Sequence, residues 1–258
     1  MRYLVFLLLI LVPILGVYTF VQAPAWGLWW PENVSTYGGS IDALFNLIAV
    51  MVLITFVGTE VILAWVALKY SSPRLAGNST FTHGSHKLEM WWTAIPAVLL
   101  LVIAFSQMGA WKKVKFESGF PNEEGGYSIE NPIAEVWASQ FDWRMRYPDE
   151  NGDMNGLGAF ERPFELVVPV NTPVVFNLRS RDVLHSFFVP DFRLKQDAVP
   201  GMTIPVWFEC TEVGTYDLIC AELCGWGHYK MAGRIHVLPQ DEFDQWLADQ
   251  RAALYATN

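Results

Sequence analysis

Three apolar stretches, each long enough to cross a bilayer, fall within the first 111 residues and constrain this chain more than any other feature. Tyr3 to Val21 carries no charged residue; Leu44 to Leu68 is apolar except for Asn46, Thr55, Thr59 and Glu60; Met90 to Trp111 forms the third, with Pro96 near its start. About 20 apolar residues in a helix span the hydrocarbon layer, where every backbone N–H and C=O must be bonded within the chain. The composition agrees, at 52% hydrophobic and 17% charged over 258 residues. After the second stretch come Lys69, Arg74 and Lys87 with no acid before Glu89, whereas residues 23–40 hold only Glu32. The positive-inside rule therefore predicts residues 69–88 on the cytoplasmic side and everything from about residue 115 outside. Lys112, Lys113 and Lys115 run against that count, but lysines at a helix end can snorkel to the interface. Arg2, the apolar run and Val21-Gln22-Ala23 fit a cleaved signal peptide as well as an additional transmembrane helix over residues 1–22. The expectation is a transmembrane helical hairpin over residues 41–112, preceded by that segment.

Beyond residue 115 the character changes. Turn-forming clusters at Gly119–Gly126 and Tyr147–Asp153 punctuate short runs rich in β-branched and aromatic residues. Residues 133–138, 164–170, 204–210, 214–219 and 233–238 read as strands, and 173–179 alternates so that Val174, Phe176 and Leu178 face inward. Strands at this spacing predict a β-sandwich. Residues 115–240 are long enough to bury their own core. Residues 241–258 then read as a terminal amphipathic helix with Phe243, Trp246, Leu247 and Leu254 on one side. The fold class is thus a membrane-anchored all-β protein.

The chemistry is concentrated in the run Cys220-Ala-Glu-Leu-Cys224-Gly-Trp-Gly-His228-Tyr-Lys-Met231, spaced C-x3-C-x3-H-x2-M. Soft sulfur ligands select Cu(I) or zinc over hard cations, and a thioether beside Cys and His suits an electron-transfer copper site. A mononuclear blue-copper loop needs one thiolate; two thiolates can bridge a pair of copper ions, which then share one electron. A second imidazole is offered by His185, just past the strand at 173–179. The competing readings are a Cys220–Cys224 disulfide, a structural zinc site, or a His185 that caps a strand.

At this point the sequence resembles subunit II of the haem-copper cytochrome c oxidases, along nearly its whole length. The resemblance is carried by Leu88-Glu89-Met-Trp-Trp-Thr-Ala-Ile-Pro96, Asp182-Val-Leu-His-Ser186, Lys195-Gln-Asp-Ala-Val-Pro-Gly201 and the Cys220–Met231 loop. It implies a cupredoxin-like domain holding a binuclear copper centre, CuA. Cys220 and Cys224 would bridge the coppers, His185 and His228 would be terminal ligands, Met231 a weak axial ligand, and Glu222 the other through its backbone carbonyl. The resemblance further implies that the Glu222 side chain ligates a magnesium or manganese ion shared with subunit I; a carboxylate suits such a hard cation. Glu89 would lie at the mouth of a proton pathway into subunit I, although a carboxylate is also favoured near a helix N-terminus for its own sake. The implied partners are subunit I with its haems, the other oxidase subunits, membrane lipid and a c-type cytochrome donor. The implied place is a bacterial cytoplasmic membrane, crossed more than once, with the CuA domain on the periplasmic or extracytoplasmic side. Glu60, an ionisable group within an apolar stretch, matches no family motif and is expected to face another subunit.

One stretch departs from better-known members. They carry Gln-Trp-x-Trp at the strand nearest the copper, with the first Trp receiving the electron; here the run is Gln140-Phe141-Asp142-Trp143. Phe141 and Trp143 are therefore both candidates for electron uptake. Arg146 stands at an acidic docking position, with Arg144 beside it, while Asp182 retains another acidic position. Residues 115–258 hold 22 acids against 11 Lys and Arg, a field that favours a cationic partner and not nucleic acid. With no C-x-x-C-H motif in the chain, the donor is expected to be a separate polypeptide, tethered or held in a supercomplex. Two competitors stand beside the oxidase reading. A quinol oxidase subunit shares the fold but lacks these copper ligands. A membrane-anchored cupredoxin for copper delivery or stand-alone electron transfer would need neither Glu89 in its motif nor Glu222 between the cysteines.

Overall fold

Helices α1 (Arg2–Gln22), α2 (Gly38–Tyr70) and α3 (His86–Lys115) open the chain in a computed structural model that describes residues 2–70, 81, 83–121 and 127–256. Arg74 of the topology argument and residues 122–126 of the first turn cluster lie outside the described residues. Each helix is long and apolar enough to span a bilayer. Leu7, Leu8 and Leu11 of α1, Val52 and Ile54 of α2, and Leu100 and Phe105 of α3 are exposed. In water such surfaces would drive aggregation, whereas lipid solvates them and the helices satisfy their own backbone groups.

Two compact units divide the chain: Met1–Trp29 with Asp42–Met108, and Trp30–Ile41 with Gly109–Asn258. The second is a sandwich of two five-stranded sheets. One has the order β3-β2-β1-β5-β8, built from β1 (Ala134–Ser139), β2 (Asp142–Tyr147), β3 (Phe160–Pro163), β5 (Val174–Ser180) and β8 (Ile204–Phe208). The other has the order β4-β10-β9-β6-β7, built from β4 (Glu165–Pro169), β6 (His185–Val189), β7 (Leu194–Ala198), β9 (Gly214–Cys220) and β10 (Ala232–Leu238). Both sheets are mixed, because β1 runs parallel to β5 and β10 parallel to β4.

The six expected strands form with ends shifted by a few residues, and Val174, Phe176 and Leu178 are fully buried. His185 does not merely follow a strand; it is the first residue of β6. Side chains from the two sheets interdigitate: Phe187 of β6 meets Phe176 of β5 at 4.9 Å and Trp143 of β2 at 5.7 Å between ring centroids. Rings of this size dominate core energetics, each contributing about 1.5–3 kcal/mol by burial. Helix α4 (Gln240–Ala256) starts with Asp241 and Glu242, whose charges suit a helix N-terminus. Phe243 is buried, and Trp246, Leu247 and Leu254 pack on the same core, as the periodicity predicts.

The sheets are also joined by a polar pin. The Tyr147 hydroxyl on β2 donates to the Val167 carbonyl (2.9 Å) and accepts from the Val167 N–H (2.7 Å) on β4. Strand β4 is an edge, and Tyr147 thus supplies partners that a further strand would otherwise give. Burial raises the pKa of this phenol, so it stays protonated and able to donate. Tyr147→Phe would leave both groups of a buried residue without that partner, and should destabilise the domain by about 1–3 kcal/mol in denaturant titrations of the full chain.

Candidate metal centre

Strand pairing delivers the first two donors. On β6, Phe187 lies opposite Cys220, the last residue of β9, which brings His185 near the Cys220 thiol. The Ala221 N–H bonds the Ser186 carbonyl at 3.1 Å, extending the β6–β9 pairing into the loop. Residues 221–231 then make an excursion and return as β10, closed by the Cys220 N–H on the Met231 carbonyl at 3.1 Å. A single helical turn at His228–Lys230 places His228 back toward Cys224.

Five donors converge. Cys220 Sγ lies 4.0 Å from His185 Nδ1 and 3.9 Å from Cys224 Sγ; Cys224 Sγ lies 3.7 Å from His228 Nδ1 and 3.8 Å from Met231 Sδ. The Glu222 carbonyl oxygen is 3.3 Å from Cys220 Sγ. His185, Cys220, Cys224 and Met231 are all buried. Both thiols are free, since a disulfide requires about 2.05 Å between sulfurs. Two ligands of one tetrahedral metal ion, each about 2.0–2.3 Å from it, stand about 3.3–3.8 Å apart. Two of the donor spacings lie within that range and two just above it, and the donor set is two thiols, two imidazoles and a thioether. The residues therefore fit a soft-metal site.

The imidazole of His185 is held from behind. Its Nε2 stands 2.8 Å from Asp182 Oδ1, which leaves Nδ1 facing Cys220. Asp182 also accepts the Gln140 N–H (2.7 Å) and the Val183 N–H (2.6 Å), and its carboxylate is a third exposed. Burial opposes its ionisation, but these hydrogen bonds outweigh burial and hold its pKa below the usual carboxylate value. Burial likewise opposes charging of His185, yet its bonds to Cys220 and Asp182 raise its pKa. Against burial, the contact with His185 lowers the pKa of Cys220; burial and then the charge on Cys220 raise that of Cys224. Without a cation, the pocket favours one thiolate over two.

The hairpin tip between β1 and β2 covers the loop. Ser139 pairs with Asp142, so Gln140 and Phe141 are the two turn residues. The Gln140 side-chain amide donates to the Cys224 carbonyl at 2.5 Å. Phe141 packs so closely that a Cβ added at Gly227 would come 2.5 Å from its ring, and one at Gly225 3.1 Å. Trp143 is fully buried, edge-on to His185 with ring centroids 6.3 Å apart.

The remaining candidates are placed differently. Glu222 is half-buried between the cysteines. Glu89 belongs to the helical unit, in the first turn of α3, with its carboxylate 3.7 Å from His86 Nδ1. Asp182, expected at a docking surface, is turned to His185. Sequence patterns pass over Gln140 and the glycines flanking Trp226; the Gly-Trp-Gly triplet is the available signal for the glycines, and Gln140 carries none.

Removing a partner that orients a metal-ligating imidazole typically costs 10–100-fold in metal affinity. Asp182→Ala should weaken copper binding to the full chain within about that range, measured by competition with a chelator, while far-ultraviolet circular dichroism is unchanged.

Known proteins similar to this chain point to one family. Residues 135–237 match the family model described as "Cytochrome C oxidase subunit II, periplasmic domain", and residues 23–109 match "Cytochrome C oxidase subunit II, transmembrane domain". The "Cytochrome c oxidase subunit 2" of Alkalihalophilus pseudofirmus is 35% identical, over 66% of this chain but only 46% of that protein. The "Probable cytochrome c oxidase subunit 2" of Rickettsia bellii is 30% identical over 73% of this chain and 71% of its own length. Among solved structures, the periplasmic domain of subunit II of cytochrome oxidase of Bradyrhizobium japonicum is 29% identical, covering 47% of this chain and 94% of that one, with a TM-score of 0.42. With both modules matched in their expected order, the chain belongs to the cytochrome c oxidase subunit II family.

Proposed function

We propose that this chain is the electron-accepting subunit of a proton-pumping terminal oxidase, anchored by its apolar helices with residues 115–240 forming a CuA domain on the periplasmic face of a bacterial cytoplasmic membrane. The observation that carries the reading is the convergence of His185, Cys220, Cys224, His228 and Met231 within 3.7–4.0 Å of one another along the chain of donors. Cys220, Cys224, His185 and His228 would hold a copper pair, with Met231 and the Glu222 carbonyl as further donors. When bound, such a pair supplies one-electron storage with little change of geometry.

The chain's own residues do the positioning. Asp182 fixes the His185 ring, and Gln140 fixes the loop backbone at Cys224. Burial excludes water from both thiols, limiting their loss to oxidation. The Glu222 side chain is free to serve a second, hard cation shared with subunit I, because the copper set would use only its carbonyl. Glu89, at the start of α3, would take protons at the mouth of a pathway into subunit I. The donor is a c-type cytochrome, drawn by the acidic balance of residues 115–258, and oxygen is reduced at haems held by subunit I.

Glu89 and Glu222 favour the oxidase over a stand-alone cupredoxin, which would use neither. Affinity purification of the tagged chain from native membranes should bring a large haem-containing subunit and oxygen uptake with it, and the isolated chain should consume no oxygen. Cys224→Ser should leave that association intact and abolish reduction of the haems by the cytochrome donor. Recovery of the chain without haem protein would instead favour copper delivery.

A further inference from the structure

We infer that Trp226 is the residue through which the donor delivers its electron to the metal centre, an assignment that rests on the proposed function. Large apolar side chains at a metal loop are ordinarily buried, yet Leu223, Trp226 and Tyr229 are 77%, 77% and 81% exposed. Trp226 is the central one of the three. It is two residues from Cys224 on one side and two from His228 on the other, so no other exposed ring in the loop is as near to both in covalent terms.

Its surroundings hold it in place. The Trp226 ring meets Phe141 edge-to-face at 5.3 Å, and the Lys230 ammonium stands over its face at 4.7 Å from the centroid. Phe141 in turn lies against Gly225 and Gly227, where a side chain would collide with it. The flanking glycines thus let the hairpin tip close on the loop backbone and leave the indole projecting outward. The alternatives named from sequence are less accessible: Trp143 is fully buried and Phe141 is partly covered. A solvent-facing aromatic beside the ligands is what a haem edge can approach, and aromatic residues with Arg dominate binding energy at the centres of interfaces.

The step is one of electron transfer alone. One electron leaves the ferrous haem of the donor, which becomes ferric, and the copper pair held by the loop gains it. No bond or proton is exchanged, and Trp226 begins and ends as a neutral indole that provides contact and coupling. The occupant of this patch is a c-type cytochrome presenting its haem edge within a basic surface, in keeping with the excess of acids over bases in residues 115–258.

The test uses Trp226→Ala and Trp226→Leu in the assembled oxidase, with a soluble basic c-type cytochrome as the probe. Both variants should slow reduction of the copper centre by the reduced cytochrome at least about tenfold and weaken its binding to the metal-free full chain by about tenfold, the effect of losing one central aromatic contact. The copper spectrum and the rate of reduction by ascorbate with a small mediator should stay as in the wild type. If Ala disturbs the spectrum, Leu, which keeps an apolar side chain against Phe141, decides the matter. Wild-type transfer and binding in a variant with an intact spectrum would overturn the inference and leave the proposed function standing. A wild-type oxidase that accepts no electron from a basic c-type cytochrome, whether soluble or held in the same membrane, would overturn both this assignment and the donor assigned above.

Discussion

Two buried thiols held 3.9 Å apart are the constraint on which the site depends. They are too far apart to be bonded and too close to be comfortable as two bare anions. At that separation, like charges repel by about 4 kcal/mol even at an effective dielectric of about 20. The metal-free pocket relieves this by favouring one thiolate, at Cys220. A cationic soft metal would reverse the balance, since thiolate is the form that binds metal and binding would release the remaining proton. The surrounding structure makes this arrangement available before metal arrives. Pairing of β6 with β9 sets His185 against Cys220, and closure of the loop onto Met231 brings the thioether and His228 to Cys224.

Rigidity is supplied from the opposite sheet. The β1–β2 hairpin reaches over with Gln140 and Phe141, while Asp182 links that tip to His185. Both sheets therefore contribute to one rim, and the core rings Trp143, Phe176 and Phe187 keep them in register. A carrier benefits from such preorganisation, because ligands that are already placed need move little between oxidation states. The same closeness explains the glycines at 225 and 227: the loop backbone and the Phe141 ring occupy space that a side chain would need.

Much of this was legible in the sequence, for identifiable reasons. The membrane helices follow from uninterrupted apolar length, and the metal loop from ligand spacing within one short segment. Strands β1, β4, β5, β8, β9 and β10 carry β-branched or alternating residues bounded by turn signals. Strand β2 escaped because its hairpin turn is Gln140-Phe141, without the Asn-Gly or Gly signal that marks two-residue hairpins. Strand β6 escaped because His185-Ser-Phe-Phe-Val189 is buried nearly throughout and shows no alternation, so His185 read as lying beyond a strand and not at the start of one. The contact of Asp182 with His185 depends on a side-chain orientation that spacing alone does not give. Nothing in the sequence separates Trp226 from the chain's other aromatics; its exposure and its contact with Phe141 belong to the fold.

Copper stoichiometry combined with electron paramagnetic resonance on the copper-loaded full chain tests the central claim most directly. The account predicts two coppers per chain and a single unpaired electron divided equally between two copper nuclei. One copper with its electron on a single nucleus, or a chain that takes up zinc and no copper, would contradict it.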